Sequence, residues 1–177
     1  MKFSGRILTS LTFVVSIAAA VCAAPQALAL DITGVAAKSG KETPSGYAVP
    51  RMVSLKYNNI NGRSGPSKGH PVKWNYRRKG LPVIVVAETE MWRKVRDPSG
   101  DESWMHKRTL DGRRMVLTLQ DATLYLKPRK TSKTLAIVSK DTLLLLTQCD
   151  ADGWCEVKAD TGHIGFVRDK TLWGANL

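Results

Sequence analysis

The chain has 177 residues, of which 43% are apolar and 24% are charged, and its formal net charge is +12. This length holds one ordinary domain or two small ones, and the composition excludes a largely disordered or low-complexity chain. The excess of positive charge indicates an anionic partner, such as a wall polymer, an acidic lipid surface or nucleic acid, unless it serves only to make a soluble basic surface.

The first 29 residues have the three parts of a secretory signal. Lys2 and Arg6 give a positive start, residues 7–21 form an uncharged apolar run, and residues 27–29 (Ala-Leu-Ala) match a small-x-small cleavage motif. The apolar run is too short to span a bilayer comfortably, and no other run qualifies. We therefore predict a signal peptide at 1–29 and a periplasmic or secreted protein without a membrane span. Export argues against nucleic acid as the native partner.

Residues 30–50 are small and polar, contain Gly and Pro, and show no apolar periodicity, which predicts a flexible spacer. From Arg51 onward, short β-branched apolar runs alternate with turn residues. The strand candidates are 52–55, 81–87, 91–96 and 103–106, with a turn-rich loop at 58–69 and a tight turn at 97–100. No window of a dozen residues shows helical periodicity.

The stretch Trp92–Leu110 occurs a second time, without gaps, as Trp154–Leu172, which is 62 residues further along the chain. The same offset aligns leucines upstream of this stretch: Leu55 with Leu117, and Leu81 with Leu143. One register held over so long a stretch indicates two copies of one small unit.

We predict that the two units are residues 51–113 and 114–177. The first contains 14 Lys and Arg against 6 Asp and Glu, a net +8, whereas the second contains 9 against 7, a net +2. Five or six short strands in each unit predict an all-β fold of two tandem, strongly bent β-barrels.

Four motifs stand out in these units: Ile60–Ser67 (INGRSGPS), Pro71-Val72, the W-x-x-V of Trp92–Val95, and the G-x-x-S/G-W/F-M/V pattern of Gly100–Met105 and Gly162–Val167. The motifs resemble bacterial SH3-like domains of exported proteins, and the resemblance covers residues 51–173. It implies tandem SH3-like barrels with a noncatalytic attachment role, often toward peptidoglycan or its peptide stems. Residues 122–130 lack the Asn61, Arg63 and Gly65-Pro66 of the first copy, so any ligand-binding role is expected in the first unit.

The expected function is therefore a noncatalytic exported module that binds peptidoglycan or another anionic envelope component. The alternative is an envelope adaptor that binds extended or Pro-rich peptides of a partner protein. No catalytic residue, metal or cofactor is predicted, because the chain shows no Ser/His/Asp arrangement, no phosphate loop and no metal-ligand spacing. An enzyme that uses Cys155 as its nucleophile and His163 as its base is the outside hypothesis.

Two cysteines in the second unit predict a disulfide. Cys149 and Cys155 flank the segment Asp-Ala-Asp-Gly-Trp, in which Asp152-Gly153 is a hairpin-turn signal. The turn places the two sulfurs on facing strands, where an oxidising compartment would join them.

Aromatic residues of the first unit are interleaved with basic ones and are the candidate ligand contacts. We predict that Trp74, Tyr76 and Trp92 form a groove beside Arg63, because Trp and Tyr supply flat apolar surface and Arg supplies a fork for carboxylate. An equally weighted interpretation is that these aromatics fill the interface between the two units.

The pattern of the repeat also predicts which aromatics are buried. If Val95 is a core residue, Trp92 points to the opposite face and is at least partly outward. Trp104 aligns with Phe166 of the second copy, and a bulky aromatic that recurs in both copies predicts a core position.

Overall fold

The computed structural model describes residues 43–177, so the predicted signal peptide and the first part of the predicted spacer lie outside the described residues. Seven strands form an antiparallel sheet in the first half of this range: β1 (Arg51–Leu55), β2 (Ile60–Arg63), β3 (Val72–Tyr76), β4 (Pro82–Glu88), β5 (Trp92–Arg96), β6 (Glu102–His106) and β7 (Leu110–Asp111). Their order across the sheet is β3-β2-β6-β5-β4-β1-β7. We call this unit barrel 1.

A second seven-stranded sheet repeats the first one strand for strand, and we call it barrel 2. Its strands are β8 (Met115–Thr118), β9 (Ala122–Tyr125), β10 (Thr134–Val138), β11 (Leu143–Cys149), β12 (Trp154–Lys158), β13 (Ile164–Arg168) and β14 (Leu172–Trp173). Their order, β10-β9-β13-β12-β11-β8-β14, is that of barrel 1. The two sheets confirm the predicted all-β fold of tandem units. No helix within residues 43–177 is long and apolar enough to cross a membrane.

Each barrel encloses its own hydrophobic core, because alternate residues of its strands point inward. The buried cluster of barrel 1 consists of Leu55, Ile60, Val83, Val85, Val95 and Met105. The buried cluster of barrel 2 consists of Val116, Ala122, Leu124, Leu144, Leu146, Cys155, Val157, Val167, Leu172 and Ala175. Burying a side chain such as Val or Leu contributes roughly 1.5–3 kcal/mol, so these clusters are the main source of stability in each unit.

The sequence repeat is not uniform in the structure. In barrel 1 the backbone of Leu55 exchanges hydrogen bonds with Leu81 and Gly80, at 2.9 and 2.8 Å. In barrel 2 the same two bonds join Thr118 to Thr142 and Asp141, at 3.0 and 2.8 Å. Leu55 therefore corresponds to Thr118, and Leu81 corresponds to Thr142, so the predicted leucine pairs are each wrong by one residue. The offset of 62 returns at Trp92 and Trp154, which pair with His106 and Arg168.

The loop between β3 and β4 of barrel 1 contacts β8, β11 and the loop before β11 in barrel 2. The guanidinium of Arg78 donates from Nη2 to the backbone carbonyl of Asp141. A side-chain carbon added to Gly80 would lie 3.6 Å from the side chains of both Met115 and Leu143. Barrel 2 therefore meets barrel 1 through both a polar and an apolar contact.

A buried ion-pair cluster closes one end of barrel 1. Glu88, whose side chain is only 1% exposed, places Oε2 2.7 Å from Arg51 Nη2 and 2.7 Å from Arg93 Nε. The backbone N–H of Ser45 donates to Glu88 Oε1 at 3.0 Å, so a residue of the predicted spacer also contacts this carboxylate. Burial alone would raise the pKa of Glu88, but hydrogen bonds from Ser45 and Arg51 outweigh it and lower that pKa to about 2.

A disulfide occupies the same place in barrel 2. Glu88 is the last residue of β4 and faces Arg93, the second residue of β5. Cys149 is likewise the last residue of β11 and faces Cys155, the second residue of β12, to which it is bonded. The predicted disulfide is therefore present, and it stands where barrel 1 has an ion pair.

We expect removal of this disulfide to destabilise barrel 2 only moderately. The bond closes a loop of 6 residues in sequence separation, and so short a loop limits the entropic gain to about 2 kcal/mol or less. The double variant Cys149→Ala/Cys155→Ala tests this by urea unfolding, because alanine avoids a buried unpaired hydroxyl at Cys155. Peptide mapping of the air-oxidised protein should find both cysteines in one cross-linked fragment, and two free thiols would contradict the structure.

Candidate functional site

The structure divides the four predicted ligand contacts between two faces of the barrel 1 sheet. Trp74 pairs with Gly62, and Tyr76 pairs with Ile60, a buried core residue, so both aromatics lie on the inner side. Arg63 pairs with Trp104 of β6, on the outer side. Trp92 also lies on the outer side, because the alternate positions of β5 place Val95 in the core.

Tyr76 is half-buried and is held by a turn. Its hydroxyl donates to Asp97 Oδ2 at 2.9 Å. Asp97 Oδ1 in turn accepts from the backbone N–H groups of Ser99 and Asp101, at 2.9 and 3.0 Å. Burial, aided by the hydrogen bond to Asp97, raises the pKa of Tyr76 to about 12. The phenol therefore stays protonated, and its proton is used in the hydrogen bond to Asp97. Trp74, two residues before Tyr76 on β3, is exposed.

Arg63 organises the loop that follows β2. Its Nη1 donates to the carbonyl of His70 at 2.7 Å. The backbone of Ser64 donates to the carbonyl of Pro71 at 3.0 Å and closes the same loop. Within residues 43–177, the other N–H donors of this guanidinium make no hydrogen bond, so they are free to meet a ligand.

Trp92 and Trp104 lie on the outer face of the hairpin formed by β5 and β6. The cross-strand pairs are Trp92 with His106 and Lys94 with Trp104. The rings of Trp92 and His106 meet edge to face, with centroids 5.4 Å apart. Both tryptophans are partly exposed. The prediction of an outward Trp92 is confirmed.

The prediction that Trp104 belongs to the core is wrong. Its neighbour Met105 points inward and is fully buried, so the alternation of β6 directs Trp104 outward. Phe166 is directed outward by the buried Val167 in the same way. The bulky aromatic recurs because both barrels carry an aromatic on the outer face.

We define the outer face of barrel 1 as Arg63, Trp92, Lys94, Trp104 and His106. Its electrostatic character is positive. Glu102 adjoins the face, but Lys94 and Arg96 already neutralise it, at 2.6 and 2.7 Å. Partial burial, and then the charges of Arg108 and Lys68, lower the pKa of His106. The ring therefore stays neutral at neutral pH, and its Nδ1 accepts from the backbone N–H of Arg108 at 3.3 Å.

Barrel 2 covers the tryptophan that corresponds to Trp92. The guanidinium of Arg168 stacks over the ring of Trp154 at 4.9 Å, and the ring of Tyr125 meets it edge to face at 5.6 Å. Trp154 is consequently only 7% exposed. Barrel 1 has His106 and Arg63 at these two positions, and Trp92 remains accessible. Comparing the two copies position by position in the sequence would have revealed this difference.

The outer face of barrel 1 combines flat aromatic surface with fixed cationic and N–H donors. Such a combination binds a flat or extended ligand that carries carboxylates, because the rings supply contact area and the cations supply charge. A cationic ligand would be repelled by Lys94 and Lys68. Among residues 43–177, no three His, Cys, Asp or Glu side chains lie close enough to hold a metal ion.

Comparison with known proteins places both barrels in one family. The profile of the bacterial SH3 domain matches the chain twice, at residues 56–112 and 120–174. No curated protein matches the chain. Among solved structures, NlpC2 from Trichomonas vaginalis is 16% identical with a TM-score of 0.33, and the match covers 72% of this chain and 49% of that one. An NlpC/P60 family protein from Bacillus cereus is 18% identical with a TM-score of 0.32, covering 69% and 55%. This chain spans about half the length of these proteins.

Proposed function

Because the chain belongs to the bacterial SH3 domain family, we propose that it is a noncatalytic module that binds peptidoglycan or another anionic component of the cell envelope. The observation that carries this proposal is the outer face of barrel 1. There, two partly exposed tryptophans lie among Arg63, Lys94 and His106, and the one adjoining carboxylate is already neutralised.

Charge supports the choice of barrel 1 as the binding unit. Its segment carries a net +8, whereas the segment of barrel 2 carries +2. Anionic polymers such as the wall are attracted to the more positive unit, and a positive surface also accelerates their association. Barrel 2 covers the equivalent tryptophan with its own Arg168 and Tyr125.

The disulfide supports a location outside the cytoplasm. Stable disulfides form in oxidising compartments, such as the periplasm or the extracellular space. Cys149 and Cys155 are bonded in barrel 2, and the first 29 residues have the pattern of an export signal. A periplasmic or secreted protein is consistent with both features.

A second candidate function is an envelope adaptor that binds an extended peptide. The observation that favours it is the edge strand β3, which, among residues 43–177, pairs only with β2. Val72 and Trp74 are exposed on this strand. A partner peptide could add a strand to such an edge, with backbone hydrogen bonds supplying affinity.

Retention on purified sacculi tests the first proposal. We expect Trp104→Ala and Lys94→Gln to weaken retention roughly tenfold or more, because each removes a contact from the outer face. Phe166→Ala and Lys158→Gln are the matched controls, since they remove an aromatic ring and a charge from barrel 2, and we expect them to leave retention unchanged. Circular dichroism verifies that each variant is folded.

The same assay separates the outer face from the other candidates. Trp74→Ala should leave sacculus retention unchanged, and a loss equal to that of Trp104→Ala would instead favour the groove first predicted. Absence of retention of the unaltered protein at moderate salt would remove the wall-binding proposal. Binding of Pro-rich peptides that depends on Trp74 would then support the adaptor.

A further inference from the structure

Barrel 1 has a cavity at the end of its core where the sheet is incomplete. Strand β7 pairs only with the last two residues of β1, so among residues 43–177 the first half of β1 has no neighbouring strand on that side. A cavity of about 480 Å³ lies there, and we call it the mouth cavity. Its lining includes the core residue Val85 and the half-buried Val53 and Leu110, so the cavity reaches the hydrophobic interior.

A buried cation lines the mouth cavity. Arg93 alternates on β5 with the outward Trp92, so it points into the barrel and away from the outer face, and its side chain is only 8% exposed. Its Nε contacts Glu88, and its Nη1 donates to the backbone carbonyls of Thr89 and Trp92. Within the described part of the chain, its Nη2 makes no hydrogen bond. The two N–H groups of Nη2 therefore remain available to a ligand that enters the cavity.

Positive charge exceeds negative charge around the mouth cavity. Three cationic side chains line it: Arg51, Arg93 and Lys107. Glu88 contacts the two arginines, which leaves three cations against one carboxylate. Asp111 also lines the cavity, but Arg113 neutralises that carboxylate at 3.1 Å. Lys107 is exposed and forms no ion pair with any residue of the range 43–177. An anion therefore fits the charge of the cavity, whereas a cation would be repelled.

Barrel 2 lacks these cations. Cys155, which is bonded to Cys149, holds the position of Arg93. Asp169 holds the position of Lys107, since each is the first residue of the 3₁₀ turn that follows the sixth strand of its barrel. The fold therefore does not require a buried arginine or a lysine at these positions, because barrel 2 forms the same sheet without them.

The rest of the lining is aromatic or aliphatic. Tyr47 contributes a ring that is 68% exposed, and Val53 and Leu110 contribute aliphatic surface. Ligand sites of this size combine an apolar lining with a few polar groups that fix the orientation of the ligand. We propose that the mouth cavity binds a small carboxylate with an apolar body. Its carboxylate meets Arg93 and Lys107, and its body lies against the apolar lining.

Chemical-shift mapping of the isotope-labelled protein with 4-phenylbutyrate tests the site, at about 0.15 M salt to screen distant charges. We expect saturable shifts of the backbone N–H signals of Tyr47, Arg93 and Leu110, with a Kd of about 1 mM or below. The uncharged analogue 4-phenylbutyramide should bind roughly tenfold more weakly or worse, because it lacks the carboxylate. Inorganic phosphate, which has charge but no apolar body, should also bind roughly tenfold more weakly or worse.

Lys107→Gln should weaken the binding of phenylbutyrate roughly tenfold, because it removes one charge that meets the carboxylate. Lys107 is exposed, so its replacement should not prevent folding, and an unchanged thermal midpoint would verify this. Lys107→Arg should retain the affinity. Arg108→Gln is the matched control, since Arg108 is the next residue of the same turn and lies outside the lining, and it should leave the affinity unchanged.

Several outcomes would overturn the proposal. One is the absence of saturable shifts at phenylbutyrate concentrations up to roughly 20 mM. Equal affinity for the amide or for phosphate would show that the cavity does not select a carboxylate with an apolar body. Equal losses from Lys107→Gln and Arg108→Gln would reduce the effect to general charge. Shifts confined to the signals of Trp92 and Trp104 would place the ligand on the outer face instead.

Discussion

Glu88→Ala should destabilise the protein by about 3–5 kcal/mol, the usual cost of removing one partner of a buried ion pair. The reason is the environment of Arg93, whose side chain is only 8% exposed. Without Glu88 its guanidinium stays buried without a counter-charge, and the N–H of Ser45 loses its acceptor. Urea unfolding followed by tryptophan fluorescence measures the loss.

Glu102→Ala is the matched control for this variant. Glu102 also forms two short ion pairs, with Lys94 and Arg96, but these side chains are substantially exposed. Exposed pairs contribute about 0–1 kcal/mol, so we expect a small effect. Equal losses of unfolding free energy from the two variants would show that the ion pairs of Glu88 stabilise the protein no more than exposed ones do.

The acid sensitivity of Glu88 gives a second readout of the same interaction. Its pKa is about 2 in the folded protein, against an ordinary value of 4.5. Because the folded pKa is the lower one, its stabilisation is complete above the ordinary value and is lost as the pH falls toward 2. We expect the difference in thermal midpoint between the unaltered protein and Glu88→Gln to shrink between pH 5 and pH 2. A difference that stays constant over this range would contradict the assignment.

Trp154→Ala should cost about 3–5 kcal/mol, as for other buried tryptophans. The ring of Trp154 is 7% exposed, lies under the guanidinium of Arg168 and meets the ring of Tyr125. Trp92→Ala, at the same position of barrel 1, should cost clearly less, because that ring is partly exposed and contacts only the edge of His106 among aromatic rings of the described residues. Its main effect should be on retention by sacculi.

The free energies of unfolding of these two variants can be compared directly, since the residues share one position in the repeat. Equal destabilisation would show that both rings belong to their cores and that the outer face of barrel 1 is less open than its exposure indicates. A stronger loss from Trp92→Ala would reverse the assignment of the two faces.

The repeat and the β-branched runs were sufficient to predict the architecture. Val83, Val85 and Val95 are core residues, as an apolar run and a W-x-x-V motif indicate. One strand, β2, was missed for an identifiable reason. The segment 58–69 is rich in Asn, Gly and Ser and was predicted as a loop, yet β2 (Ile60–Arg63) lies within it. Gly62 is needed there because a side-chain carbon would lie 2.4 Å from Ser103 Oγ.

The candidate site was harder to predict, because the side of the sheet to which a side chain points depends on the strand register. Trp74 and Arg63 are close in the sheet but point to opposite sides, which follows only from the pairing of β2 with β3 and β6. Trp104 was assigned to the core on its recurrence alone. Its neighbour Met105 is the residue that fills the core. Because side chains alternate along β6, assigning Met105 to the core would have placed Trp104 on the outer face.

The substitution of an ion pair by a disulfide at one position has a consequence for how the two barrels respond to their surroundings. Protonation of Glu88 weakens its ion pair with Arg93 between β4 and β5, whereas thiols reduce the disulfide between β11 and β12. A reductant therefore breaks the bond between β11 and β12 and leaves the Glu88 ion pairs intact, whereas strong acid protonates Glu88 and leaves the disulfide intact. The equivalent hairpins of the two barrels are thus held together by bonds that respond to different chemical conditions.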